Sequence, residues 1–336
     1  MKKITLAQGS GGSAMQQLIA DLFMREFANP LLLEMEDQAR IPLDQLTLQG
    51  DRLAFSTDSY VIDPLFFPGG DIGKLAVCGT ANDIAVSGAI PRWLSCGFIL
   101  EEGLELSLLE RIVSSMARTA SAEGISIVTG DTKVVPRGAA DKIFINTSGL
   151  GAIPQHIDWG LRRIQQGDVI LTTGTLGDHG ATLLNLREDL GMEGALVSDC
   201  AVLTTLIQLL RYQPGVKALR DATRGGVNAV VHEFTAASGY GIELNENALP
   251  VKPSVRGICE LLGLDALNFA NEGKLIIVAA RDAAEQLITV LQQHPLGRDA
   301  ALIGEVVERP GVRLTGLYGI RRSLELPYNE PMPRIC

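Results

Sequence analysis

The chain has 336 residues, 46% hydrophobic and 20% charged, which excludes disorder over most of its length and allows about two domains. Lys plus Arg is 29 and Asp plus Glu is 39, a net charge of −10, so no broad positive field exists to attract nucleic acid or an anionic membrane. A phosphorylated ligand must then be neutralised locally, and a carboxylate-held metal ion is the obvious device.

The opening MKKITLAQGSGG has no apolar stretch behind its lysines, and no run approaches the ~18 residues of a spanning helix; a cytoplasmic protein is expected. Gly9, Gly11 and Gly12 precede a helix predicted over 14–28. Such a loop can wrap phosphate with backbone N–H groups, although its spacing is neither a P-loop nor a dinucleotide fingerprint and a plain turn is the commoner explanation. A strand is predicted over 53–57, followed by Asp58 and Asp63 in STDSYVIDP. Residues 72–88 are apolar and rich in small side chains, a tightly packed helix that contains Asn82 and Asp83. After a strand over 92–100, the helix over 107–121 sets Leu108, Leu109, Ile112, Val113 and Met116 on one face, with Ser107 and Glu110 at capping-box spacing. Strands follow over 125–129 and 142–153, with Asp131 and Lys133 just after the first.

Residues 154–167 read as a break. Beyond them come a strand over 168–173, a glycine turn GTLGDHG and helices over 178–188, 197–212 and 225–238. Strands over 241–244 and 274–280, a helix over 282–293 and strands over 301–307 and 312–315 complete this half. Helices do not alternate one-for-one with strands, which points to two α+β domains, 1–155 and 156–326. Pro327, Pro331 and Pro333 mark residues 327–336 as a flexible, extended tail. At ~3.1 Å per residue it reaches roughly 30 Å.

Several carboxylates at strand ends converge only if a cation lies between them, and Mg²⁺ favours such hard oxygen ligands. Asp58 and Asp131 suit ligand work and turn capping equally. Asp83 is harder to explain as packing, because an unpaired carboxylate in an apolar helix is costly to bury. Arg224, in DATRGGV, can offer a forked donor, and Glu272, in NEGK, can act as a base; taken alone, a surface ion pair and a turn are the preferred explanation of both. Five widely spaced cysteines without C-x-x-C exclude a disulfide framework. Cys78, Cys96, Cys200 and Cys259 lie in apolar contexts and read as packing, whereas Cys336 ends the tail and is either a carrier thiol or a chance terminus. His179, in the glycine turn, is placed to touch a ligand.

The run TDSYVIDPLFFPGGDIGKLAVCGTANDIAVSGA resembles the signature of the aminoimidazole-ribonucleotide synthetase-like superfamily. VTGDTKVV, GDVILTTGTLGDHG, DATRGGVN, NEGK and the closing PRIC narrow the resemblance to its hydrogenase-maturation carbamoyl dehydratases, over essentially the whole chain. The resemblance implies a homodimer of two-domain α+β chains, with an N-terminal domain that pairs and binds ATP and Mg²⁺. It also implies that Cys336 receives a carbamoyl group from the carbamoyltransferase HypF, that ATP drives its dehydration to a thiocyanate, and that the cyanide passes to iron on a HypC–HypD scaffold. By motif match, Asp58, Asp63, Asp83 and Asp131 hold the metal, while Gly9, Gly11, Gly12, Asn82, Asp83 and Asp131 bind the nucleotide. Cys336 carries the substrate, and Glu272, Arg224 and Lys133 are the candidates for base and orientation. A related small-molecule kinase or synthetase, or a non-catalytic cysteine carrier, are the alternative readings.

Overall fold

The computed structural model describes every residue except Met1, Glu193, Ala195, Leu317, Asn329, Glu330, Pro331 and Pro333. The N-terminal half is a four-stranded sheet in the order Arg52–Tyr60, Ile143–Ile153, Ile90–Glu101, Ser126–Val135. Neighbours are antiparallel except the last two, which run parallel. Helices Ile72–Ala85 and Leu106–Ala122 cover one face of it.

Helix 72–85 starts at Asp71, whose side chain accepts from the N–H groups of Gly73 and Lys74 at 2.8 and 3.1 Å. It is buried almost all round, which small residues permit. A Cβ on Gly73 would lie 2.5 Å from the carbonyl of Ile112, so glycine sets how closely the two helices cross. Helix 106–122 uses its predicted apolar face, with Leu109, Ile112, Val113 and Met116 fully buried. The expected capping box is absent: the helix begins one residue earlier, Glu105 is its N-cap, and that residue makes no side-chain cap bond.

The second half is a seven-stranded sheet in the order Arg321–Ser323, Val312–Thr315, Gly241–Asn245, Ala301–Val307, Val169–Thr172, Leu275–Ala279, Val216–Asp221. Only 241–245 and 312–315 pair in parallel. Helix Gly226–Ser238 packs on one face and helices Thr204–Leu210 and Ala284–Gln292 on the other. Strand 216–221 and helix Pro253–Leu262 have no counterpart in the sequence reading.

The helix expected over 197–212 is confined to 204–210. Residues 198–203 instead lie against the N-terminal half. Ser198 N–H donates to the Pro68 carbonyl at 2.9 Å, and the Asn82 side chain bonds Ala201 O at 3.0 Å and Leu203 N at 2.8 Å. These tertiary bonds replace the helical ladder there. The end of the chain is also seated: Met332, Ile335 and Cys336 belong to the same buried cluster as Leu75, Cys78, Leu183 and Phe269.

Candidate active site at the seam of the two halves

Helix 72–85, the strand end at Asp58, the segment after strand 216–221 and the Asn271–Gly273 turn meet around one cleft. Its volume is about 120 Å³, and it is lined by Thr57, Asp58, Gly79, Asp83, Asp221, Thr223, Arg224, Glu272 and Cys336. The terminal thiol thus reaches a pocket with four carboxyl groups and one guanidinium in its walls. Cys336 is only 7% exposed.

Crowding and burial set the electrostatics. Burial raises the Asp83 carboxyl, as does nearby Asp58, while a hydrogen bond from the Ser56 hydroxyl at 2.7 Å opposes the shift. Burial, with Asp83 next, lifts Asp221 to about 7. Glu272 lies well above the usual carboxylate range, chiefly through burial and then through Cys200 and Asp221. Its Oε1 has no hydrogen-bond partner, although its backbone is fixed by Asp199, which accepts from Glu272 N at 3.1 Å and Gly273 N at 3.2 Å. This concentration of carboxyl groups is a place where a cation relieves repulsion.

The sequence-assigned residues divide into separate groups. Asp58, Asp83, Arg224, Glu272 and Cys336 share the cleft. Asp131 pairs with Lys133 at 2.7 Å on strand 126–135, and that contact holds its carboxyl below the usual range. Gly9 packs against Val134 of the same strand, and Gly11 and Gly12 precede helix Ser13–Leu18. Beside this loop an apolar pocket of about 140 Å³ opens, with Met15, Phe23, Phe98, Ile127 and Asp131 among its lining residues. Asp63 binds Lys142 at 3.1 Å, outside both places. The four-carboxylate metal set is therefore not one site within the chain. Among the described residues no three His, Cys, Asp or Glu side chains form a metal cage. Asn82 is committed to the segment 201–203 and lines neither the cleft nor the apolar pocket.

Sequence reasoning missed Asp221 and Thr223 of the cleft and the residues that seat the tail. Val61 N–H donates to a main-chain carboxylate oxygen of Cys336 at 2.9 Å, and Arg334 donates to Val61 O at 2.8 Å and to Asp141 at 2.7 Å. Arg187 donates to the Arg334 carbonyl at 2.6 Å and to Asp63 O at 2.7 Å. Asp221 sits in the same DATRGG run as Arg224, so its motif was visible, but its role depends on contacts that only folding creates.

Two family models match the chain: AIR synthase related protein, N-terminal domain, over residues 36–153, and its C-terminal domain over 165–316. The curated carbamoyl dehydratase HypE of Escherichia coli (strain K12) is 74% identical, with all of both chains covered. A crystal structure of E. coli HypE superposes with a TM-score of 0.94, covering 96% of this chain and 100% of that one. The hydrogenase maturation protein HypE solved in complex with ATP is 46% identical, with a TM-score of 0.93 and 99% of each chain covered. HypE from a HypE–HypF complex is 43% identical, with a TM-score of 0.80, covering 92% of this chain and 99% of that one. Among the described residues, no helix is long and apolar enough to cross a membrane. With the two-domain fold, the cleft and these full-length matches together, the chain belongs to the HypE carbamoyl dehydratases of the AIR synthase related family.

Proposed function

We propose that the chain is an ATP-dependent carbamoyl dehydratase acting on its own terminus. A carbamoyl group carried on Cys336 as a thiocarboxamide is converted to a thiocyanate, with ATP yielding ADP and phosphate, and the cyanide serves the iron of nickel–iron hydrogenase during its maturation. The observation that carries this reading is the position of the terminal thiol inside the carboxylate-lined cleft.

The amide oxygen of a carbamoyl group leaves poorly. Once it bears the γ-phosphoryl of ATP it departs as phosphate, and removal of the remaining nitrogen protons leaves the nitrile. The protein's contribution is positioning and charge neutralisation. Val61 anchors the tail at both of its backbone groups: its N–H donates to the main-chain carboxylate of Cys336, and its carbonyl accepts from the Arg334 side chain. Arg224, in the cleft wall, offers a forked donor to phosphate oxygens. Glu272, buried and with an Oε1 that has no hydrogen-bond partner, has its affinity for protons raised well above that of an ordinary carboxylate by burial, which suits a group that takes up the nitrogen proton. Asp58 and Asp83 fit Mg²⁺, an ion that binds through one or two carboxylates plus phosphate oxygens. It would supply neutralisation of the phosphoryl charge.

The apolar pocket beside the glycine loop and Asp131 suits a nucleotide base. Leu53, Phe55 and Ile99 are exposed on the uncovered face of the four-stranded sheet, 56%, 66% and 42% accessible. The strand register puts Lys133 opposite Ile99, hence on that face. A second copy of the chain is the natural cover, and a homodimer would enclose the Asp131–Lys133 pair. HypF is the carbamoyl donor, as the HypE–HypF complex of a relative supports, and a HypC–HypD complex is the cyanide acceptor. All of these meet in the cytoplasm.

Cys336→Ala tests the reading. It should bind ATP, take up no carbamoyl group and support no hydrogenase maturation. Full maturation by this variant would overturn the proposal, and would favour a small-molecule kinase.

A further inference from the structure

Helix Asp178–Arg187 cradles the tail. His179 and Arg187 lie eight residues apart, so they share a helix face. Each meets a tail carbonyl: His179 Nε2 lies 2.9 Å from Ile335 O, and Arg187 Nη2 lies 2.6 Å from Arg334 O. Between them in sequence, Gly180 leaves the room that Met332 fills, since a Cβ there would lie 2.8 Å from the Met332 methyl.

The His179 ring is fully buried, edge-on to Phe67 at 5.3 Å between centroids. Its bonds fix its tautomer. Ile335 O only accepts, so Nε2 carries the proton and donates. Nδ1 then accepts from the Ser198 hydroxyl at 2.7 Å, and Ser198 Oγ itself accepts from Cys200 N–H at 3.1 Å. The Ser198 backbone is in turn held by Pro68. Burial disfavours the charged ring, which agrees with a neutral imidazole.

We infer that His179 is the latch of the C-terminal tail: locked by Ser198 as the Nε2–H tautomer, it grips the Ile335 carbonyl and sets how often Cys336 leaves the cleft. A thiol that is 7% exposed cannot enter a second enzyme's active site without such a departure. This need for departure rests on the dehydratase reading; the latch geometry does not. His179 bonds the Ile335 carbonyl and is not among the residues lining the cleft, so it is a positioning residue.

The test is the rate at which iodoacetamide labels Cys336 in the full-length protein, read by peptide mass, with half-buried Cys259 as internal reference. In His179→Asn the short amide keeps the Ser198 side and loses Ile335; Cys336 labelling should rise roughly tenfold, as the loss of about one hydrogen bond gives. In His179→Gln the longer amide reaches Ile335, and labelling should stay within about threefold of the parent. Cys259 should not change in either. Equal labelling in the two variants and the parent, or equal acceleration in both variants, overturns the latch. Should either variant expose Cys78 and Cys200 through unfolding, the ring nitrogen spectrum of the unsubstituted protein decides: an Nε2–H ring supports the latch and an Nδ1–H ring overturns it. Labelling needs neither nucleotide nor carbamoyl donor. Its failure therefore leaves the dehydratase reading standing, and a failed dehydration assay leaves the latch standing.

Discussion

The backbone N–H of Val61 donates to a main-chain carboxylate oxygen of Cys336 at 2.9 Å, which ties the last residue of the chain to the exit of the strand that carries Asp58. The substrate-bearing residue is thus anchored through its main chain, and this anchoring bond uses none of the carboxyl side chains of the cleft.

Asp83→Asn follows from this separation. The tail's seat does not involve Asp83, so carbamoyl uptake should be unchanged. Dehydration of the loaded protein should fall by roughly 10²–10³, the usual loss when one preorganised electrostatic group is removed. Single-turnover assays on pre-loaded protein measure the two steps apart.

Glu272→Gln should separate stability from activity. A carboxyl whose folded pKa is raised binds more protons folded than unfolded, so its contribution to stability is full below its ordinary value of 4.5 and is lost as pH rises toward the raised folded value. The variant, free of this loss, should gain stability relative to the parent as pH rises above about 4.5. It should dehydrate poorly at every pH. Urea unfolding at several pH values, beside activity, checks both.

Asn82→Ala should act on the fold. The side chain satisfies two backbone groups of residues 201 and 203, and leaving them unpaired costs about 1–3 kcal/mol for each buried group. Denaturant titration should show a lower midpoint, with nucleotide affinity unchanged in the folded fraction.

Phe55→Asp tests the proposed homodimer and should break it. A charge on the uncovered sheet face opposes its burial, and sedimentation should find the variant as a monomer while the parent sediments as a dimer.

Much of the scaffold was legible in the sequence. Strands 301–307 and 312–315 match residue for residue, and helix 106–122 buries the face that its periodicity announced. The failures share a cause. Residues 197–203 have a helical pattern but take their hydrogen bonds from Pro68 and Asn82, far away in the chain. The proline-rich end looks like an extended arm because its own residues offer no period; its seat is supplied by His179, Arg187 and Val61. For the candidate site, the motif-matched residues Asp58, Asp83, Arg224, Glu272 and Cys336 share one cleft. Asn82, whose amide serves the seam between the halves, and Asp63 and Asp131, each paired with a lysine, lie outside that cleft.

The most direct test is the mass of the C-terminal peptide after the protein has been carbamoylated by its donor and then given magnesium and ATP. The account requires a carbamoyl gain on Cys336, followed by ATP-dependent loss of one water from that same peptide. A carbamoyl mass that persists unchanged through ATP hydrolysis, or a water lost without ATP, would contradict it.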